Sequence, residues 1–203
     1  MNILIDKLPH QVKIDGVNYQ INCDFRTSIK FELLIQESES SQREKIIETL
    51  KLYFNVIPKN VDVDVAIERI IWFYSCGNTC KTQKEDQKEK RGIEVNQRAY
   101  SFNYDKNYIF SAFYQVYGID LTKENLHWWK FKALFSTLPD ECLFSKIMYY
   151  RTVEISSKMS REYQQRLREL KEIYALPLTE SEQRRINDLE NALLKGDLSG
   201  IDL

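Results

Sequence analysis

Glycine, proline, histidine and cysteine are all scarce in this sequence: 6 Gly, 4 Pro, 2 His and 4 Cys in 203 residues. So little glycine and proline argues against a loop-rich all-β protein or a glycine-lined nucleotide fold and tilts the expectation towards helix. The patterns G-x-G-x-x-G, G-x-x-x-x-G-K, H-E-x-x-H and G-x-S-x-G do not occur, which removes the common signatures of nucleotide, zinc-protease and serine-hydrolase chemistry. Charge is balanced, 29 basic against 30 acidic residues, so the basic excess of a simple nucleic-acid binder is missing. The first apolar run, Ile3-Leu4-Ile5, stops at Asp6 and is too short for a signal peptide. No window approaches the roughly 18 apolar residues of a membrane span. Four cysteines do not make a disulfide scaffold, and reduced thiols in a cytoplasm are expected.

What is present is apolar and aromatic. The chain is 43% hydrophobic, with 10 Phe, 12 Tyr and 3 Trp, which excludes wholesale disorder. A chain of this length buries about 70% of the surface its unfolded form exposes, enough for a real core in one or two domains.

Val12-Lys13-Ile14, Asp15-Gly16 and Val17-Asn18-Tyr19-Gln20-Ile21 alternate around a type I′ turn pair, which predicts a β-hairpin. Helical spacing follows. Asp24 is a predicted N-cap before Phe25, Ile29 and Leu33. After a polar break from Glu37 to Gln42, Ile46, Ile47, Leu50, Phe54 and Ile57 share a helical face that Pro58 ends. Val63, Ile67, Ile70 and Tyr74 spell a third helix, with Asp62 and Asp64 at its positive end and Gly77 after its close. Residues 81–91 hold no large apolar side chain, so a mobile charged loop is expected over about 78–98, with a solvated surface and a charge of +2 over 77–98.

Fifteen of the 25 aromatic residues fall between Tyr100 and Tyr150, where core packing is the expected use. Base stacking also needs a basic groove, and residues 99–157 carry six basic and six acidic groups. Ile109, Ala112, Phe113, Val116 and Tyr117 form an amphipathic helix that starts near Asp105 and is closed by Gly118. A helix over 126–138 is apolar nearly all round and belongs in the middle of the domain. Pro139-Asp140-Glu141 is expected to open the next, whose face is Leu143, Phe144, Ile147 and Met148.

Near the C-terminus, Tyr163, Leu167, Leu170 and Tyr174 make a narrow seam on a charged helix. Pro177 breaks it, and Thr179-Glu180-Ser181-Glu182 matches a capping box that opens a second stripe, Ile186, Leu189 and Leu193. These seven residues are the candidate partner-binding positions, with docking onto the chain's own core as the competing use. Residues 196–203 are expected to fray.

Candidates for chemistry are few. Cys76 and Cys80 are the one close cysteine pair, but a tetrahedral zinc site needs four ligands, and Cys23, Cys142, His10 and His127 are each single and scattered along the chain. His127 before Trp128-Trp129 has no nucleophile beside it and is expected to cap a helix or line an aromatic core. No catalytic, metal or cofactor residue is assigned.

One long stretch carries a resemblance. It runs Tyr100-Ser101-Phe102-Asn103-Tyr104-Asp105, Tyr108-Ile109-Phe110-Ser111-Ala112-Phe113, Tyr117-Gly118-Ile119-Asp120-Leu121, Leu126-His127-Trp128-Trp129-Lys130-Phe131-Lys132-Ala133-Leu134, Leu138-Pro139 and Phe144-Ser145-Lys146-Ile147-Met148, to Arg151. With Asp24-Phe25-Arg26-Thr27 after the hairpin, this order resembles the bacteriophage "gene product fifteen" family of tailed phages and prophages of Gram-positive bacteria, over residues 10–176. The resemblance implies a product of the tail-morphogenesis region, encoded between the major tail protein and the tape-measure protein. That is the place of tail assembly chaperones, which bind the tape-measure protein, help recruit tail-tube subunits and are absent from the finished particle. It implies no catalytic residue.

The expected protein is therefore mainly α. It has a short N-terminal β-hairpin and about five core helices (residues 1–157), then a C-terminal helical arm (158–203). The expected role is non-enzymatic: binding of the tape-measure protein and the tail-tube protein in the host cytoplasm, with self-association through the same seams. A structural tail component, such as a completion or connector subunit, is the alternative, and a nucleic-acid-binding regulator a third.

Overall fold

The computed structural model describes residues 2–37, 40–58, 61–78 and 98–178, together with 183, 184 and 187. Most of the charged loop, the capping box at 179–182, the stripe Ile186, Leu189 and Leu193, the tail and Cys80 lie outside these residues. Among the described residues the protein is mainly α: a two-stranded antiparallel hairpin and seven helices.

The hairpin pairs β1 (Gln11–Ile14) with β2 (Val17–Gln20). Asp15 and Gly16 take φ of 49° and 83°, the two positive values that a type I′ turn demands. Val12 and Ile14 point from β1 into the core, and β1 packs on α3. That packing supplies the helix that an isolated hairpin needs against its face.

Helix α1 (Phe25–Glu37) starts where Asp24 Oδ1 accepts the Arg26 N–H at 2.8 Å. Helix α2 (Gln42–Tyr53) opens on a full capping box, Ser41 with Glu44, inside the stretch read from sequence only as a polar break. It also ends earlier than Pro58 requires, so Ile57 is not helical. Phe54 turns to extended backbone and is buried. The Tyr53 carbonyl, which a longer helix would spend on residue 57, instead accepts the Asn22 N–H at 2.8 Å. A contact from the end of the hairpin thus stops the helix before proline can.

Helix α3 (Val63–Tyr74) is capped by Asp62, whose side chain accepts the Asp64 N–H. It closes in a Schellman arrangement: Gly77 N–H to Trp72 O at 2.9 Å and Cys76 N–H to Phe73 O at 3.1 Å. Cys76 (φ 56°) and Gly77 (φ 82°) are both left-handed. A Cβ on Gly77 would lie 3.1 Å from the Trp129 ring. Gly77→Ala is therefore expected to cost about 1–2 kcal/mol, read as a lower urea midpoint at unchanged slope.

Helix α4 (Lys106–Tyr117) ends at left-handed Gly118. Helix α5 (Trp128–Ser136) is the central element, with Trp128, Trp129, Phe131 and Phe135 buried. The Phe131 ring lies between those of Phe25 and Phe113, both stacked at 4.9 Å, so α1, α5 and α4 meet at one side chain. Helix α6 (Leu143–Thr152) starts later than the proline signal suggests. Cys142 N–H closes a turn on Pro139 O at 3.0 Å, and Cys142 is extended, so Pro139 to Glu141 form a turn and not a first helical turn. Helix α7 (Arg161–Ile173) follows a Ser160 cap and packs on α6. No helix among the described residues is long and apolar enough to cross a membrane.

Candidate functional site

The seam predicted on α7 faces two ways. Leu167 is 1% exposed, which places it inside the chain's own packing against α6. Tyr174 stacks on Tyr150 of α6, centroids 6.0 Å apart, and Leu170 is partly covered. Tyr163 stays 44% exposed and lies beside Tyr149, whose phenol its hydroxyl pushes up. Tyr163, Tyr149, Tyr150 and Tyr174 thus form a tyrosine ladder across α6 and α7, with Tyr149 and Tyr150 also in edge contact at 5.9 Å. Ile173, 69% exposed, and Leu178 are further exposed apolar side chains at and beyond the end of α7. Tyrosine carries large contact area at low entropic cost, and a hydroxyl tip that tolerates water when no partner is bound. The helical period marks Tyr163 and Tyr174, whereas Tyr149 and Tyr150 join the ladder only through α6–α7 packing, which no local spacing announces.

A buried ion pair anchors this surface. Arg151, 8% exposed, grips Asp105, 1% exposed, through two bonds: Nη1 to Oδ2 at 2.6 Å and Nη2 to Oδ1 at 2.9 Å. Arg151 also donates from Nε to Tyr174 O at 2.6 Å and from Nη1 to Ala99 O at 3.1 Å. One guanidinium therefore ties the start of α4, the segment before it and the end of α7 to α6. Asp105 sits at the N-cap of α4, as its sequence position suggests, yet its side chain makes no cap bond there. The carboxylate is spent on Arg151 and on the Ser101 N–H at 2.9 Å.

The paired tryptophans have a structural use. Trp129 Nε1 donates to Phe73 O at 2.7 Å and Trp128 Nε1 to Tyr74 O at 2.8 Å, so both indoles satisfy carbonyls at the C-terminal end of α3. His127 caps α5: its Nδ1 accepts the Trp129 N–H at 3.1 Å, and its Nε2 is 3.0 Å from Pro9 O, which fixes Nε2 as the protonated nitrogen. Burial pushes the His127 pKa down, against the opposing hydrogen bond to Pro9.

His10, Cys23 and His127, scattered in sequence, converge. Their ligand atoms all lie within 4.8 Å of one another, and Cys23 Sγ is 3.1 Å from His10 Nδ1. Burial, and then the Asp24 charge, push the Cys23 thiol up, opposite to the activation a nucleophilic cysteine needs. Cys23, Cys76 and Cys142 are free thiols.

A family model described as Bacteriophage Gp15 protein matches residues 4–176, a span that contains both strands and all seven helices described above. Comparison with curated proteins and with solved structures gave no significant match. The matched span includes the hairpin, the His127-Trp128-Trp129 cap, the Asp105–Arg151 pair and the tyrosine ladder. Because the match covers most of the chain, this protein belongs to the Bacteriophage Gp15 protein family.

Proposed function

We propose that this protein is a tail assembly chaperone-like factor, which acts without a reaction centre by binding the tape-measure protein, and with it tail-tube protein, during tail morphogenesis in the host cytoplasm. The observation that carries this reading is the family match over residues 4–176, taken with the tail-region role that the sequence resemblance implies. The tyrosine ladder supports it. A chaperone of a long helical client needs exposed anchors that bind reversibly, and Tyr163, Tyr149, Ile173 and Leu178 are exposed, spread along α6, α7 and the segment after it. In the chaperone, Leu167 holds α7 in place while the exposed members of the ladder meet the client.

The test is co-expression with the tape-measure protein of the same phage, followed by affinity purification and a solubility assay. The expected result is co-purification and more soluble tape-measure protein. Tyr163→Ala combined with Ile173→Ser is expected to cut the recovered complex at least about tenfold, the loss of roughly 1.4 kcal/mol or more that anchor residues typically carry. Neither complex nor rescue, together with stoichiometric recovery of this chain in purified particles by mass spectrometry, would replace the chaperone by a structural tail component.

A further inference from the structure

We propose that His10, Cys23 and His127 form a binding site for a zinc-class transition-metal ion, which staples the N-terminal hairpin to the start of α5. The side chains come from three separate places: the residue before β1, the segment between β2 and α1, and the N-cap of α5. A thiolate with two imidazoles is a donor set that favours zinc, cobalt or copper over magnesium or calcium, which take oxygen ligands.

The backbone holds the three in place. His10 O accepts the Ile21 N–H at 3.0 Å, which extends the hairpin ladder to His10. Cys23 O accepts the Trp128 N–H at 2.7 Å, and Phe25 N–H reaches Leu126 O at 3.0 Å. Asp24 and His127 therefore form an antiparallel bridge that fixes Cys23 beside His127. Around a tetrahedral zinc with bonds of about 2.0–2.3 Å, neighbouring donor atoms sit about 3.3–3.7 Å apart. The 3.1 Å contact of Cys23 with His10 is already in that neighbourhood, and the remaining adjustment falls to His10, the exposed member. His10 and His127 meet edge to face, centroids 5.4 Å apart.

Both ring nitrogens of His127 are engaged, Nε2–H with Pro9 O and Nδ1 with the Trp129 N–H, so metal entry at Nδ1 exchanges the Trp129 hydrogen bond for a coordination bond and leaves the Nε2–H bond to Pro9 O. The other bond then orients the ring, as outer-shell partners of metal-bound histidines do. Asp24 supplies no fourth ligand, because its carboxylate is held by Arg26. The fourth position falls to water, reached from the exposed His10 side.

Cobalt(II) titration of the full-length chain, purified with chelator and reductant, tests the site. One equivalent is expected to bind, with the visible bands of a four-coordinate ion and near-ultraviolet thiolate-to-cobalt charge transfer, both bleached by zinc. Cys23→Ser is expected to abolish the charge-transfer band, and His10→Ala to weaken binding more than about tenfold, at least the loss seen when an outer partner of a metal ligand is removed. Cys76→Ser and Cys142→Ser should bind as the parent does. Far-ultraviolet circular dichroism checks that each variant is folded; His127 is left intact because it caps α5. No cobalt uptake by the folded parent overturns the site. So does charge transfer that survives Cys23→Ser or is lost in Cys76→Ser, since the thiolate would then lie elsewhere.

Discussion

Arg151→Ala is expected to lower the free energy of unfolding by about 3–5 kcal/mol, the cost of leaving a buried partner charge uncompensated. Three features put the effect at the upper end. The Asp105 carboxylate is almost wholly buried and would lose both guanidinium bonds, keeping the Ser101 N–H. The carbonyls of Tyr174 and Ala99 would lose their donor. The substitution also removes the link between α6 and the end of α7. Against a typical total of about 5–15 kcal/mol, this is a large fraction. A double variant, Asp105→Leu with Arg151→Met, is expected to recover part of the loss, because it removes both charges together and fills the space. Urea unfolding of Asp105→Leu, of Arg151→Met and of the double variant measures the coupling. A single-variant cost below about 1 kcal/mol would mean that the pair is solvated, as exposed pairs are, and would contradict the burial described here.

Phe131→Ala is expected to cost about 3–5 kcal/mol. Phe131 is fully buried, and its ring stacks on Phe25 and Phe113 and lies near those of Trp128 and Phe135. The loss combines the transfer energy of the ring with a cavity that three helices border and rigid aromatic neighbours cannot fill. Phe131→Leu keeps part of the volume and should cost clearly less. Tyr104→Ala, at a half-exposed position, should stay within about 0.5 kcal/mol. Thermal and urea midpoints of the three variants give this ordering, and an equal loss at Phe131 and Tyr104 would refute the central place assigned to α5.

These expectations rest on information that the sequence carries unevenly. Turn chemistry at Asp15-Gly16, apolar periodicity in seven helical segments, the cap at Asp24, the acids at the start of α3 and the Gly118 that closes α4 are local. Each depends on residues a few positions apart, so composition and spacing determined them, and with them the mainly α fold. The Ser41–Glu44 capping box was equally local, a plain S-x-x-E, but the surrounding polar run disguised it. The resemblance of residues 10–176 was legible for a similar reason, since it lies in the order of side chains and needs no geometry. The tertiary structure decided the rest. Helix α2 stops at Tyr53 because Asn22, 31 positions earlier, takes its carbonyl. Asp105 serves Arg151, 46 residues away, before it serves its own helix. The two indoles cap a helix more than 50 residues upstream. His10 and His127 meet only because the fold brings the segment before β1 to the N-cap of α5, where His127 reaches Pro9 O and bridges Asp24. Side-chain period says which face of a helix is apolar, as it did for Tyr163, Leu167, Leu170 and Tyr174. What covers that face depends on contacts between elements far apart in the chain, which form only when the whole core closes.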